Sequence, residues 1–408
     1  MKILHTADWH IGKKLHKNDL SQDFELFINW LCILIQEQEI ELLLISGDVF
    51  DLANPSSDAR KQYYKALLKL RNLDCSIILT GGNHDSPAML DAPGEILREL
   101  EMHVIGCLRE DLGECVIPVK GRSGEIELIV AALPYLRDAD LRSATDGNTY
   151  EDRLEAIRMG IQNTFLGAAE ICKSKYPNIP ALAMGHLYAA GVETSESERD
   201  IQIGNQAAFQ ASQFGDFFNY IALGHIHKPQ KVNGEVPTYY SGSPIPLSFS
   251  ERKDEKRILI IDTNKSWIPE SFPIPSFRKL LKLSGSLQEL QTKLSGLINT
   301  SILDNLLELE MIEEQYDATK LYELDKLIQK FNQPGFEIVK SRVNFKNKIS
   351  GASELYAGTP QLEDIKPREV FMELLTNHDY EKDVNNEILS AFDELMEELH
   401  QQESSNEL

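Results

Sequence analysis

Five short stretches of the chain set metal-ligand side chains directly behind an apolar run. Asp8–Trp9–His10 follows residues 2–6, Gly47–Asp48 follows 42–46, and Gly81–Gly82–Asn83–His84–Asp85 follows 76–80. Gly185–His186 follows 181–184, and Gly224–His225–Ile226–His227 follows 220–223. Together Asp8, His10, Asp48, Asn83, His186, His225 and His227 offer seven nitrogen or oxygen ligands and no thiolate. That set suits two divalent ions, with one carboxylate bridging them and an open position left on each. Such a pair stabilises the attacking and departing oxygens of a phosphoester while activating a water. His84 is placed differently: beside a ligand on a tight turn, it can position a phosphate and protonate the leaving oxygen.

Each stretch alone has a plainer reading. An Asp behind a strand commonly caps a helix, and Asn-His-Asp makes an ordinary polar turn. A Gly-His pair in a loop is usually structural, and His225–Ile226–His227 by itself is a weak metal signal. Five such coincidences at the same end of successive strands are much harder to obtain by chance, and context of that kind confirms a motif. The other histidines have no such company: His5 lies inside a strand and reads as packing, and His16, His103, His378 and His400 as solvated or structural. Asp51 and Asp85 read either as partners of the ligands or as turn formers. Lys13 and Lys14 are open to phosphate contact or to solvent.

The elements that must position these side chains follow from periodicity. Phe24, Phe27, Ile28, Leu31 and Ile35 recur at helical spacing, as do Tyr63, Tyr64, Leu67, Leu68 and Leu70. A helix over 92–100, with Pro93 in its first turn, completes a βαβαβ order, which implies a mostly parallel sheet. Ligands gather at the carboxyl ends of such strands, where all five stretches lie. Shorter strands over 102–105, 115–119 and 126–133, a helix over 150–173, and strands near 238–240, 258–261 and 268–275 follow. Two mixed sheets packed together under helices fit this α/β pattern better than one doubly wound sheet. A Pro- and Ser-rich linker (Pro269, Ser271, Pro273, Pro275, Ser276) is expected to close a first domain at residue 275. A smaller α+β unit spans 276–350. Residues 346–365 read as a tether, and 366–408 as a terminal helix pair.

The bulk composition narrows the classes. The chain has 408 residues, 42% hydrophobic and 8% aromatic, and is long enough for two or three domains. No run of 18 apolar residues occurs, and the first residues do not resemble a signal peptide. Five scattered cysteines without a CxxC pair favour reduced thiols and a cytoplasmic location. The net charge of −23 argues against a dedicated DNA-coating surface. Its excess is uneven, because residues 351–408 hold fifteen Asp and Glu against three Lys and Arg.

Asp-x-His, Gly-Asp, Gly-Asn-His-Asp, Gly-His and Gly-His-x-His, in this order, resemble the calcineurin-like metallophosphoesterase superfamily. The strings Asp8–Trp9–His10–Ile11–Gly12–Lys13, Gly47–Asp48–Val49–Phe50–Asp51 and 240–249 (Tyr-Ser-Gly-Ser-Pro-Ile-Pro-Leu-Ser-Phe) are similar to the SbcD family of bacterial nuclease subunits. The resemblance implies a phosphoesterase domain (1–275), a small capping domain (276–350) and terminal helices (366–408) that bind an SbcC-type ATPase. It further implies one metal held by Asp8, His10, Asp48 and His227, and a second by Asp48, Asn83, His186 and His225. His84 would be the catalytic histidine and manganese the metal. Double-strand exonuclease and single-strand or hairpin endonuclease activity on DNA follow from the same resemblance, in a heterotetramer holding two copies of this chain and two of its partner. ATP hydrolysis would be the partner's, since no G-x-x-x-x-G-K-[ST] loop is present. Two alternatives stand beside it: a phosphodiesterase or phosphatase acting on a small molecule at the same site, and a non-catalytic module on this fold.

Overall fold

Leu42–Leu43–Leu44–Ile45 has no polar side chain to turn toward water, so it can be a strand only where both faces are covered. The computed structural model shows that covering. It describes residues 1–141, 150–195, 197–198, 209–315, 317–346, 371 and 388–392. Residues 1–311 and 323–342 form one unit, and 312–322 with 343–408 a second.

The first strands are β1 (Lys2–Thr6), the two-residue hairpin strands β2 (Lys14–Leu15) and β3 (Asn18–Asp19), β4 (Leu42–Ser46), β5 (Ser76–Thr80) and β6 (Met102–Ile105). Then come β7 (Val116–Lys120), β8 (Ile126–Tyr135), β9 (Ala181–His186), β10 (Tyr220–Gly224), β11 (Gln230–Val232) and β12 (Thr238–Tyr240). The strands β13 (Arg257–Asp262) and β14 (Ser266–Pro273) follow. One six-stranded sheet has the order β14-β13-β1-β4-β5-β6 and the other β11-β12-β10-β9-β8-β7. In the first, β1, β4, β5 and β6 run parallel and β13 and β14 antiparallel. In the second, β8, β9, β10 and β12 run parallel.

Alternation within each strand divides the core. Ile3, Leu42, Leu44 and Ile78 pack with the second sheet, in a cluster holding Val130, Leu182, Met184 and Ile221. Leu4, Leu43, Ile45, Ile77 and Leu79 turn the other way, onto helices α1 (Ser21–Glu37) and α2 (Ser57–Arg71). The sheets therefore lie face to face, and the ligand-bearing strands β1, β4, β5, β9 and β10 are buried throughout their lengths apart from half-buried first residues in β1 and β5.

Some local expectations are corrected. The helix expected over 92–100 is two short helices, α3 (Pro87–Asp91) and α4 (Gly94–Arg98). Pro93 sits ahead of the second, where its carbonyl accepts the Leu97 amide at 2.9 Å and its missing N–H is no loss. The Pro- and Ser-rich stretch expected as a linker is largely the edge strand β14. An edge tolerates Pro269, which lies where the ladder register shifts between Ile260 and Asp262. Tyr64 and Leu68 are exposed on α2, so its buried stripe is narrower than the periodicity suggested. Two further helices follow β8: α5 (Asp138–Leu141) and α6 (Tyr150–Lys175), the latter two residues longer than expected.

The smaller elements are β15 (Leu280–Gly285), α7 (Leu287–Ser295), β16 (Asn305–Glu313), α8 (Ala318–Lys330) and β17 (Phe336–Phe345). The strands form a three-stranded sheet ordered β15-β16-β17. Ser286 and Glu289 cap α7 reciprocally. Just before β15, Arg278 makes a two-pronged ion pair with the buried Asp23 of α1, at 2.7 and 2.8 Å. Of the expected tether, all beyond 346 lies outside the described residues. Of the terminal pair, Phe371 and 388–392 are described, all helical; His378 and His400 are outside.

Candidate metal centre

All five ligand-bearing loops leave parallel strands at their carboxyl ends, so the two packed sheets deliver them to one place. The loops are braced against each other by backbone bonds. Asp8 N–H donates to the Gly47 carbonyl at 3.1 Å, His10 N–H to Asp48 at 3.0 Å and Ile11 N–H to Val49 at 2.8 Å. Between the two ligands of the first loop, Trp9 is fully buried against Phe24 and Phe27 and donates its indole N–H to Thr6 Oγ1 at 3.2 Å.

That bracing holds the backbone in an uncommon conformation. Asp8 (φ 53°), His10 (φ 46°), Asp48 (φ 48°) and His225 (φ 102°) all have positive φ without being glycine. Each costs of order 1–3 kcal/mol and persists only where surrounding structure enforces it, a pattern typical of functional sites. Gly82 is needed for a different reason: a Cβ there would stand 2.1 Å from Asp48 Oδ1 and 2.2 Å from Asp48 N.

The side chains converge. His10 Nε2 lies 3.1 Å from His227 Nε2, and Asp8, His10 and His227 present ligand atoms all within 4.8 Å of one another. Asp48, His186 and His225 form a second such group. Asp48 Oδ2 stands between them, 3.4 Å from His186 Nε2 and 3.7 Å from His10 Nε2. Asn83 Oδ1 meets His186 Nε2 at 2.9 Å. All seven expected ligands are thus brought to one centre.

His84 is at its margin. Its Nδ1–H donates to the Asp51 carbonyl at 2.8 Å, and its Nε2 points back toward Asp48 Oδ2 at 4.0 Å. It also lies close enough to Asp48 and His10 to complete a third ligand group.

Whether divalent ions suit this donor set is answered by the atoms left over. Asp8 Oδ2 and His225 Nε2 are buried without a hydrogen-bond partner. An unpaired buried polar atom costs about 1–3 kcal/mol, and a cation between these groups removes that cost. The electrostatics agree. Burial pushes the Asp8 carboxyl up to about 7 against the pull of His186 and His227, while Asp48 adds to the rise. Burial pulls His10 down to about 4 and His225 well below its ordinary range. His186 goes the other way: despite burial, the Asp48 carboxylate raises it to about 9. Asp48 is correspondingly held well below the carboxylate range, the histidines outweighing its burial. Without metal, the carboxylates and imidazoles therefore neutralise one another, and a divalent ion would displace the protons of Asp8 and His186.

The neighbours singled out with the ligands have definite work. Asp85 is buried and accepts three backbone N–H groups, from Gly82 at 2.9 Å, Val49 at 3.0 Å and Phe50 at 2.9 Å. It therefore ties the Asn83–His84 turn to the Asp48 loop. The Asp51 carboxylate lies 3.4 Å from His10 Nδ1 and pairs with Lys13 at 2.9 Å, so Lys13 is engaged within the loop and Lys14 is exposed. His5 is buried between the sheets with its Nδ1 3.0 Å from the Tyr220 hydroxyl. His16 is exposed and stacks near Phe249, and His103 is half-buried.

Sequence patterns missed Ser197, Glu251 and Lys256. His227 Nδ1 lies 2.7 Å from Ser197 Oγ and 3.4 Å from Glu251 Oε1, and Lys256 donates to the His227 carbonyl at 3.0 Å. Nothing in their spacing marks them, and only proximity to the Ser-Gly-Ser-Pro string could have drawn notice. Beside the centre a cleft of about 890 Å³ reaches Ile11, Gly12 and Asp51. Its lysines Lys61, Lys65 and Lys69 are paired with Asp58 and Glu25.

Residues 1–229 match the family model of the calcineurin-like phosphoesterases. Among curated relatives, the SbcD chain of the nuclease SbcCD from Rhodobacter capsulatus is 37% identical over 294 residues, covering 69% of this chain and 71% of the relative. The protein of the same name from Escherichia coli K12 is 29% identical over 334 residues, 81% of each chain. That of Bacillus subtilis is 32% identical over 266 residues, 64% of this chain and 66% of the relative.

Proposed function

The chain belongs to the calcineurin-like phosphoesterases, among the SbcD nucleases, and from that membership we propose that it is the DNA-cleaving component of an SbcCD-type complex. The observation that carries the chemistry is the pair of buried ligand groups sharing one neighbourhood through Asp48. Asp8, His10, Asp48 and His227 would hold one divalent ion, and Asp48, Asn83, His186 and His225 the other. Such ions supply Lewis-acid stabilisation of the phosphoester and activation of a water. Hard nitrogen and oxygen donors without thiolate are compatible with Mn²⁺, which the family resemblance favours.

The chain's own groups do the rest. Asp48 brings negative charge to both ligand sets. The Asp51 carbonyl fixes the His84 Nδ1–H, so the Nε2 edge faces the centre and can deliver a proton to the departing oxygen. Asp85 keeps those two turns in register.

The relatives' name supports an SbcC partner, with two copies of each chain, this one pairing with itself, and DNA as substrate. Five free cysteines and the absence, among the described residues, of a helix long and apolar enough to span a membrane are compatible with a cytoplasmic setting. The test is cleavage of hairpin DNA, blunt duplex and bis-p-nitrophenyl phosphate by the metal-stripped chain, with Mn²⁺ restored or withheld and with and without SbcC and ATP. Mn²⁺-dependent cleavage of DNA is expected. Turnover of the small ester with no cleavage of any DNA would favour a small-molecule phosphodiesterase instead.

A further inference from the structure

The interior behind His227 holds an ion pair that no step of the proposed chemistry uses. Glu251 has no exposed surface, and Lys256 is 6% exposed. Burying two charges is expensive, and the pair is frequently no more stabilising than apolar side chains of the same volume. This pair is also heavily supported. Lys256 Nζ donates to Glu251 Oε2 at 2.5 Å, to Ser243 Oγ at 2.9 Å and to the His227 carbonyl at 3.0 Å. Leu247 N–H adds a donor to Glu251 Oε2 at 3.2 Å. The second carboxylate oxygen, Oε1, is aimed elsewhere: it accepts from the Ser197 hydroxyl and lies 3.4 Å from His227 Nδ1.

We propose that Glu251 is a positioning residue for the metal centre, fixing through Ser197 which nitrogen of His227 faces the ions. His227 Nδ1–H donates to Ser197 Oγ at 2.7 Å, and the Ser197 O–H is passed on to the carboxylate. With its proton held on Nδ1, His227 presents the Nε2 lone pair to the spot that His10 Nε2 also approaches, 3.1 Å away. Lys256 completes the device by gripping Glu251 and the backbone of His227 together, so the ring is held at both ends. A carboxylate behind a metal-ligating imidazole sets its tautomer and raises its basicity, and losing it typically weakens metal binding 10- to 100-fold. Of the four imidazoles facing the centre as ligands, His10 has Asp51 behind it at 3.4 Å and His186 has the Ser46 carbonyl at 3.1 Å. His227 is the one backed by a fully buried carboxylate that is itself salt-bridged.

The inference rests on the two-ion reading of the centre, and the experiment separates the two. Metal-stripped full-length chain, as wild type, Glu251→Gln and Ser197→Ala, is titrated calorimetrically with Mn²⁺, and thermal unfolding of each metal-free protein is recorded alongside. Wild type should take up two ions. Glu251→Gln should weaken one of them about 10- to 100-fold and leave the other unchanged. Ser197→Ala should weaken the same ion by less, since Nδ1 retains a direct approach to Glu251. Glu251→Asp should recover part of the loss, which a merely structural role would not predict. If Glu251→Gln does not stay folded, Ser197→Ala decides, because Ser197 is a half-buried loop residue; wild-type affinity there overturns the relay. Equal affinities for Glu251→Gln and wild type overturn it as well, as does equal weakening of both ions. Fewer than two ions on wild type would instead overturn the reading of the centre, and the relay with it.

Discussion

Asp48 is the residue on which both ligand groups depend, since its Oδ2 is within 3.4 Å of His186 Nε2 and 3.7 Å of His10 Nε2. Its Oδ1 is already engaged, accepting the His84 backbone N–H at 2.9 Å. One side chain thus serves the ions with one oxygen and the catalytic turn with the other. Asp48→Asn is expected to abolish cleavage of every substrate and to lower the metal content of the protein, measured by elemental analysis after dialysis. Near-normal turnover would remove Asp48 from the bridge. His84→Ala should separate what Asp48→Asn confounds. On the proposed assignment His84 moves a proton and holds no ion, so metal content should persist while turnover falls about 10²–10⁴-fold. Because His84, His10 and Asp48 can also form a ligand group, metal loss in His84→Ala would transfer His84 to the ligands.

At the scale of elements, what positions these residues is a set of close approaches between turns. The turn after β5 passes so near the Asp48 loop that Gly82 has no room for a methyl group, its virtual Cβ standing 2.1 Å from Asp48 Oδ1. Gly82→Ala is therefore expected to push Asp48 off both ligand sets and remove most metal binding. Gly94→Ala, with nothing within 4 Å of the added carbon, should bind metal as wild type does. Equal metal affinity in both variants would mean the loop shifts without cost. The glycine was legible from sequence as punctuation, but the atom it makes room for was not, because that distance belongs to two strands paired across the sheet. The same limit explains the rest. Ligand identities and their strand-end placement were readable because strand, glycine and ligand are contiguous in sequence. Glu251 was not, since it reaches His227 from a turn 24 residues downstream with no periodicity of its own. Pro93 and Pro269 punctuated the chain as expected, yet whether a proline opens a helix, separates two or lies on a sheet edge is decided by neighbours.

At the scale of the whole molecule, charge and apolar stripe are both concentrated at the end of the sequence. Of the net −23, the last 58 residues carry an excess of twelve negative charges, fifteen Asp and Glu against three Lys and Arg. The stripe Ile388, Phe392, Leu395, Met396 and Leu399 follows one helical face, with Glu387, Asp393, Glu394, Glu397 and Glu398 on the others. Within the described residues Phe371 and Phe392 stack, ring centroids 3.9 Å apart and planes 9° from parallel. A helix pair of about forty residues buries too little apolar surface to be stable alone. Part of the stripe is thus used between the helices, and the remainder needs a surface; an amphipathic helix laid in a groove or against a coiled coil is the common solution. The relatives' name points to SbcC as that surface. Phe392→Asp combined with Leu395→Asp should break co-purification with SbcC, since one change splits the helix pair and the other puts a charge on the stripe. Metal-dependent cleavage of single-stranded DNA by the isolated chain should survive, because the ligand-bearing residues all lie before residue 228. Normal binding of SbcC by the double variant would show that the stripe is only internal packing. Loss of single-strand cleavage together with binding would show that these helices support the catalytic fold.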